Sequence, residues 1–322
     1  MNRQKPMVLI LGANGRLGRA LVEAFAVAGW RVRAQLRDQS RWQQAGSASI
    51  APWYCDAHDR AALCRAAEGC EVVVNALNPL YTQWEQNALP LAENALAAAR
   101  ASGVLLLFPG NIYNFGNQLP EQLHEDTPQV GNTTKAQIRI AMEERLRAAA
   151  DEVDSVVLRT GDYLGGTGSW FDRVIAKELR KGKITYPGPT DRLHAWAYLP
   201  DFAEAFVRVA ARRSELRGFH TYHFPGYAIT GAELHRTLEE VTARQLRLGK
   251  MPWWSLRLAA PFSPMARAIL DMRYLWERPH RVEDGALTAL IGTLPTTPLH
   301  DALQATLSGL GVLTMKEDWH HA

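Results

Sequence analysis

The run Met7 to Gly18, Met-Val-Leu-Ile-Leu-Gly-Ala-Asn-Gly-Arg-Leu-Gly, constrains this chain more than any other stretch. Val8 to Leu11 is a short continuous apolar run, the pattern of a strand buried on both faces. It stops at Gly12, and glycine returns at three-residue spacing at Gly15 and Gly18. Leu17, Leu21, Val22 and Phe25 then repeat with helical period. Strand, glycine loop and helix in succession predict a diphosphate cradle. Glycine lets the chain turn tightly, lets a ligand approach the backbone, and lets the helix pack close to the strand. The helix N-terminus offers unpaired N–H groups and a positive dipole end to the phosphates. The cradle residues are Gly12, Asn14, Gly15, Arg16, Leu17 and Gly18.

The same rhythm continues. Strands are predicted at Arg31 to Leu36, Ile50 to Tyr54, Glu71 to Asn75, Leu105 to Phe108 and Ser155 to Arg159. Between them, helices are predicted at Arg60 to Ala67, Trp84 to Ala101 (with Pro90 inside) and Thr134 to Ala149. Such alternation implies an α/β protein with a doubly wound parallel sheet. After Arg159 the pattern changes. A glycine-rich loop, Gly161 to Gly168, leads to a predicted helix near Trp170 to Arg180 and a strand near Ile184 to Tyr186. Trp196 to Asp201 opens a helix with Asp201 as its cap, and Phe219 to Phe224 reads as the last core strand. Thr230-Gly-Ala-Glu233 has the capping-box pattern. Beyond it the chain reads as mostly helical and rich in Trp and Pro. The expected division is residues 1–160 plus 195–225 as the dinucleotide-binding domain, with 161–194 plus 226–322 as a smaller, mostly helical substrate-side domain.

Composition excludes several classes. The formal net charge of +3 over 322 residues, without a basic run, argues against nucleic acid as a partner. Three cysteines, Cys55, Cys64 and Cys70, are odd in number and lack metal-ligand spacing, as expected of free thiols in a reducing compartment. No helix carries two histidines one turn apart with a carboxylate, and His194, His124-Glu125-Asp126 and His320-His321 form no metal set. The polar segment Met1 to Pro6 leaves no room for a signal peptide, and the most apolar stretch, Trp253 to Leu270, is broken by Arg257, Pro261, Pro264 and Arg267. The expectation is a cytoplasmic monomer or homodimer acting on a small molecule, without a metal, a membrane or nucleic acid.

At the end of the second strand, Leu36-Arg37-Asp38 sets Arg37 where a guanidinium could pair with a 2′-phosphate. Arg33 and Arg41 flank it. This favours NADP(H); Asp38 keeps NAD(H) as the alternative. The Gly-x-x-Gly-x-x-Gly spacing, in this context, resembles the short-chain dehydrogenase/reductase superfamily in its extended or atypical branch, the NAD(P)-dependent epimerase/dehydratase-like family. That resemblance implies a Rossmann fold. It also implies that Asp56 meets the adenine amino group, with a helix cap near Asp59 as the other reading, and that Asn75-Ala76-Leu77 passes the cofactor ribose. Arg159-Thr-Gly-Asp-Tyr163 then ends the sixth strand near the nicotinamide.

The catalytic motif departs from the family. There, a Tyr-x-x-x-Lys pair opens the helix after the fifth strand, lysine lowering the tyrosine pKa and tyrosine exchanging a proton with the substrate oxygen. Here Lys135 stands in the lysine's place, and Gly131, four residues earlier, is not a tyrosine. The family's Ser/Thr segment is replaced by Phe108-Pro-Gly-Asn-Ile-Tyr113. The catalytic candidates are therefore Lys135, Tyr113 as a substitute proton donor with its pKa lowered by Lys135, and Asn111 polarising a carbonyl. Tyr81, Tyr163, Asp162 and Tyr198 are the alternatives to Tyr113. Trp253, Trp254, Tyr274 and Trp276 either line an apolar pocket or form the small domain's core. Two functions fit: an oxidoreductase or epimerase acting on a small carbonyl or sugar-like substrate with a nonstandard donor, or a non-catalytic NADP(H)-binding sensor.

Overall fold

The computed structural model describes residues 5–38, 42 and 48–313; Arg41, His320 and His321 lie outside them. The first half of the chain runs β1 (Met7–Leu11), α1 (Arg16–Val27), β2 (Arg31–Leu36), β3 (Ile50–Tyr54), α2 (Arg60–Ala67), β4 (Val72–Asn75), α3 (Trp84–Ser102) and β5 (Leu105–Pro109). A two-residue strand β6 (Gln122–Leu123), α4 (Thr134–Ala148) and β7 (Ser155–Arg159) follow. Later come β8 (Asp162–Leu164), β9 (Lys183–Tyr186), β10 (Leu193–Tyr198), α5 (Leu199–Ala211) and β11 (Phe219–His223).

One seven-stranded sheet has the order β11-β7-β5-β4-β1-β2-β3, and every pairing in it is parallel. The apolar runs sort by strand period. Val8, Ile10, Val72 and Val74 face the layer of α1 and α5, against Leu21, Phe25, Phe202 and Phe206. Leu9, Leu11, Val73 and Leu106 face the other layer, against Leu63, Ala95 and Met142. This is a doubly wound Rossmann sheet, as the alternation implies. Chain order reverses between β1 and β4, and ligands bind outside the carboxyl ends of the strands at such a point.

The remaining elements lie off this sheet: β12 (Tyr227–Thr230), α6 (Gly231–Thr242), β13 (Arg247–Lys250), α7 (Trp253–Ala259), α8 (Pro264–Leu270), α9 (Tyr274–Glu277), β14 (Arg281–Val282), α10 (Leu287–Ile291) and α11 (Leu299–Gly309). The capping box at Thr230 and Glu233 is formed in full. Three expectations need correction. Residues 170–180 are not one helix but a single wide turn, Phe171–Ile175, and a tight one, Leu179–Lys181. Asp172 accepts from Gly168 N at 2.7 Å, which fixes the first turn, and Gly182 at φ +68° turns the chain into β9. Asp201 does not cap α5; Tyr198 holds that position, and the Asp201 carboxylate accepts from Thr297 N at 2.8 Å and its hydroxyl at 2.7 Å. Finally, the last third contains the short strands β12, β13 and β14, which extend or pair with β10, β9 and β6. Among the described residues, no helix is long and apolar enough to cross a membrane, and none of their His, Cys, Asp and Glu side chains group as metal ligands.

Candidate active site

The glycine loop sits at the reversal point. Gly12 adopts φ +71°, and a Cβ there would lie 3.0 Å from the Ala76 carbonyl oxygen. Gly15 is exposed and lies at the N-cap of α1, in extended backbone that any residue adopts. A Cβ at Gly18 would come within 2.2 Å of the Gly12 carbonyl oxygen, so this glycine sets how closely α1 crosses β1. The loop is braced by Gln35, a buried residue that sequence reasoning missed. Its Oε1 accepts from Gly12 N at 2.9 Å, and its Nε2 donates to Cys55 O at 2.7 Å. The signal for it was a lone amide in the apolar end of β2. Leu17 is buried in the core, and Asn14 Oδ1 accepts from Arg19 Nη2 at 2.6 Å. Arg16 leaves the loop, donates from Nε to Thr167 O at 3.0 Å and from Nη2 to Gly168 O, and lies 5.8 Å over the Tyr163 ring.

Arg37 and Asp38 are exposed just beyond β2. Arg33 is committed elsewhere: it donates to Ala66 O at 2.5 Å and Glu68 O at 2.8 Å and stacks on Trp53. Asp56 is exposed and accepts from His58 N at 2.9 Å, whereas Asp59 caps α2 through Ala62 N at 3.0 Å, so the two aspartates are separate features. Asn75 is buried, its Oδ1 accepts from Leu77 N at 3.3 Å, and Ala76 N donates to Leu11 O at 3.0 Å. The open glycine backbone, with space that a Cβ would take, fits a dinucleotide diphosphate.

Beyond the strand ends lies a cluster of phenols. The Tyr113 and Tyr81 hydroxyls are 3.1 Å apart. Burial holds Tyr113 well above the ordinary tyrosine pKa, and Tyr81 and Asp162 push the same way. Tyr163 is pushed up to about 12, first by burial. Asn111 Oδ1 accepts from Tyr113 N at 3.0 Å, so that carbonyl is spent on a turn. Tyr198 stands apart, near Asp201. Lys135 does not bond to Tyr113. Its ammonium donates to Ala268 O of α8 at 3.0 Å and lies 5.0 Å over the Tyr81 ring, and burial lowers its pKa. The expected lowering of the Tyr113 pKa is thus reversed: burial acts on the phenol, and the nearby lysine is bonded elsewhere.

Helix α4 explains why Gly131 offers nothing in the tyrosine's place. Thr133 is the N-cap, its hydroxyl accepting from Ala136 N at 3.1 Å, so the helix opens at Thr134. Gly131 lies before the cap and is exposed. The positions four apart that open the helix are Lys135 and Arg139. Arg139 lies 4.8 Å over Trp84 and 5.8 Å over Phe108 and donates to Pro109 O at 3.2 Å, leaving Nε buried without a partner. One turn on, buried Glu143 accepts from Arg159 Nε at 3.1 Å and from Asn114 Nδ2 at 2.9 Å, tying α4 to β7. Among the described residues, neither Lys135 nor Arg139 forms a salt bridge.

The far wall carries a pair that sequence reasoning did not join, buried His194 and part-buried Asp162. His194 Nε2 is 2.9 Å from Asp162 Oδ2, and its Nδ1 is 3.2 Å from Leu275 O. Its ring stacks on Trp276 at 4.1 Å. Trp276 is buried and belongs to the aromatic core with Trp170, Tyr186 and Trp253, whereas Trp254 is 68% exposed. Both residues stand out in the sequence, His194 beside Trp196 and Asp162 as an alternative to Tyr113, but their pairing does not.

The sequence pattern of the NAD dependent epimerase/dehydratase family matches residues 8–223. Among curated proteins, the chain is 30% identical over 317 residues to the 3-diazoavenalumate denitrifying reductase of a Streptomyces species, spanning 90% of this chain and 96% of that one. Among solved structures, it superposes on the Bordetella bronchiseptica enzyme WbmH in complex with NAD+ (TM-score 0.73, 16% identity, 96% and 99% of the two chains). It also superposes on the Thermus thermophilus UDP-glucose 4-epimerase complex with NAD (TM-score 0.72, 18% identity, 96% and 100%).

Proposed function

The chain belongs to the NAD dependent epimerase/dehydratase family, and from that premise we propose that it is a nicotinamide-dependent reductase that releases dinitrogen from a diazo-bearing carboxylate. The observation that carries the proposal is the start of α4. Thr133 caps the helix, Lys135 and Arg139 lie one turn apart on it, and Gly131, in the place of the family's tyrosine, precedes it. No phenol stands on that face of α4, and burial raises the pKa of Tyr81, Tyr113 and Tyr163, which makes each a weaker acid. Carbonyl reduction needs a proton donor at the substrate oxygen, a contribution of about 10²- to 10⁴-fold. When bound, the reduced nicotinamide supplies a hydride, which at a carbon bearing a diazonium group makes the C–H bond as the C–N pair departs with dinitrogen, needing no proton there. The curated relative named for this kind of reduction supports the same reading.

The residues divide the work accordingly. The backbone of Gly12, Gly15 and Leu17 would cradle the diphosphate, Asn75 to Leu77 would border the ribose, and Asp56 lies near the adenine end. Arg37 favours NADP(H) over NAD(H) by its reach to a 2′-phosphate. Lys135 and Arg139, two cations on one helix face that form no salt bridge among the described residues, with Asp271, Glu85 and Glu143 nearby, suit the substrate's anionic group. Trp84, Tyr81 and Tyr113 supply aromatic surface.

The test follows NAD(P)H absorbance and dinitrogen release with diazo-carboxylates, in parallel with aldehydes, ketones and nucleotide sugars. Cofactor oxidation matched by dinitrogen supports the proposal. Turnover of carbonyls or sugars without any diazo compound sinks it, and cofactor binding with no turnover at all favours the sensor.

A further inference from the structure

We propose that α7, α8 and the turn between them form a membrane-docking surface, which sets its apolar side chains into the headgroup layer of an anionic bilayer. The stretch Trp253 to Leu270, too broken by charge and proline to cross a bilayer, has the make-up of one that lies on its surface. Docking is independent of the reaction, and neither reading depends on the other.

The hairpin keeps one side in the core and one side in water. Trp253 packs against the core and its Nε1 donates to Pro187 O at 2.6 Å, while Ala266 and Ala268 are buried. Trp254 and Leu258, one turn apart on α7, face the other way and are 68% and 69% exposed. Phe262, in the turn, is 90% exposed, and Met265 at the start of α8 is exposed beside it. Pro261 and Pro264 flank the phenylalanine and restrict the backbone around it. Arg267 Nη1 donates across the turn to Ala260 O at 2.8 Å, and Phe262 N donates to Ala259 O at 3.0 Å. The result is a stiff, projecting tip with four large apolar side chains in water, the mark of an interaction site.

The charge along this stretch has one sign. Between Glu240 and Asp271 the chain carries five cations, Arg244, Arg247, Lys250, Arg257 and Arg267, and no carboxylate. None of the five forms a salt bridge among the described residues. The bordering carboxylates are engaged: Glu239 accepts from Leu246 N at 2.8 Å, Glu240 pairs with Arg236, Glu277 pairs with Arg273, and Asp271 and Glu85 lie by Lys135. Tryptophan, phenylalanine, leucine and methionine among unpaired arginine and lysine suit the interface of an anionic membrane. A second copy fits poorly. A two-fold interface sets the same patch on both partners, so Arg257 and Arg267 would meet their own copies with no carboxylate to answer them. A protein partner would need a cavity shaped to Phe262, whereas a fluid headgroup layer needs none. The docked face adjoins the substrate site, since Ala268 O of α8 accepts from Lys135 Nζ at 3.0 Å and α8 packs on the tight turn Tyr81–Gln83.

The test is co-sedimentation of the full chain with vesicles of phosphatidylcholine and of phosphatidylglycerol. Wild type should partition onto phosphatidylglycerol at least about tenfold more strongly, and raised salt should narrow the gap to about threefold or less. Arg257→Gln should weaken binding to phosphatidylglycerol by about three- to fivefold. Leu258→Ser combined with Phe262→Ser should weaken it by about tenfold or more. The thermal melt should hold in that variant, because both side chains are already in water; if it melts early, Phe262→Ser alone is read the same way. Equal binding to the two vesicles, or binding to neither, overturns the proposal. So does binding that survives loss of Leu258 and Phe262, which is adsorption by charge alone. Sedimentation velocity without lipid covers the other occupant: a dimer that Phe262→Ser dissociates overturns the proposal in favour of a second copy.

Discussion

Gly15 and Gly18 stand three residues apart in one loop, and the structure predicts opposite consequences of adding a methyl group. At Gly18 the new Cβ would lie 2.2 Å from the Gly12 carbonyl oxygen and 2.9 Å from the Ala13 Cα. Both are backbone atoms, so relief requires α1 to move off β1, at the centre of the sheet. Overpacking of this kind costs about 3 kcal/mol or more, which lowers Tm by about 4 °C or more in a chain of this size. At Gly15 the nearest atom to the new Cβ is the same carbonyl at 3.1 Å, and the residue is exposed at the helix N-cap. Gly15→Ala should therefore keep Tm within about 2 °C, a change under about 1 kcal/mol. Its methyl takes the space through which a diphosphate reaches the N–H groups. Losing one charged hydrogen bond of about 1.5–3 kcal/mol weakens NADPH by at least about tenfold. Thermal melts with and without cofactor, together with calorimetric titration of NADPH and NADH, read both quantities. Wild-type affinity in Gly15→Ala, or a wild-type melt in Gly18→Ala, would refute the assignment of these two roles.

Arg37→Ala should weaken NADP(H) by about ten- to a hundredfold and leave NAD(H) nearly unchanged; equal loss for both by calorimetry removes Arg37 as the phosphate ligand. Glu143→Gln strands Arg159 as a buried charge and should cost about 3–5 kcal/mol, read as a fall in denaturation midpoint. His223 is pulled down to about 4, first by burial and then by Arg159. The unfolded chain therefore takes up the proton first, and stability that is complete above about pH 6.5 is lost as pH falls towards 4. Denaturant titrations across that range should show the slope and His223→Gln should flatten it; an unchanged slope in the variant points to other groups. Tyr113→Phe should leave dinitrogen-releasing turnover within about threefold, whereas a proton donor would cost about 10²-fold or more.

The sheet was legible because it rests on patterns with a long reach. Runs such as Val72 to Asn75 are apolar on both faces, and strands this deep leave no ambiguity once helices alternate with them. The late elements carry less signal. β12 and β13 are four residues each and β14 is two, too short for any period to register. The turns at residues 171–175 and 179–181 depend on Asp172 reaching back to Gly168 and on Gly182, local bonds that mimic a helix start without continuing it. Asp201 shows the same limit. Its type and its place after a strand match a cap, but Thr297, ninety-six residues away in sequence, takes its carboxylate.

The candidate site divides along a similar line. The glycine loop is read locally, since its turn and its packing lie within one strand, one turn and one helix; Gln35, Ala76 and the Arg16 bond to Thr167 are what reach it from elsewhere. The reacting end is not local, and there the spacing Gly131 to Lys135 misleads. Four residues before a lysine is the right interval for the family's pair, but the interval only has meaning inside a helix, and Thr133 starts α4 two residues after Gly131. The marker that resolves this lies downstream. Glu143 follows Lys135 by eight residues, two helical turns, and its bond to Arg159 fixes the rotation of α4 against β7. With that rotation set, Lys135 and Arg139 share the face that meets Tyr81 and Trp84, and Gly131 is off the helix altogether. A missing tyrosine at residue 131 reads as a damaged site; cations at 135 and 139 read as a site made for a different charge.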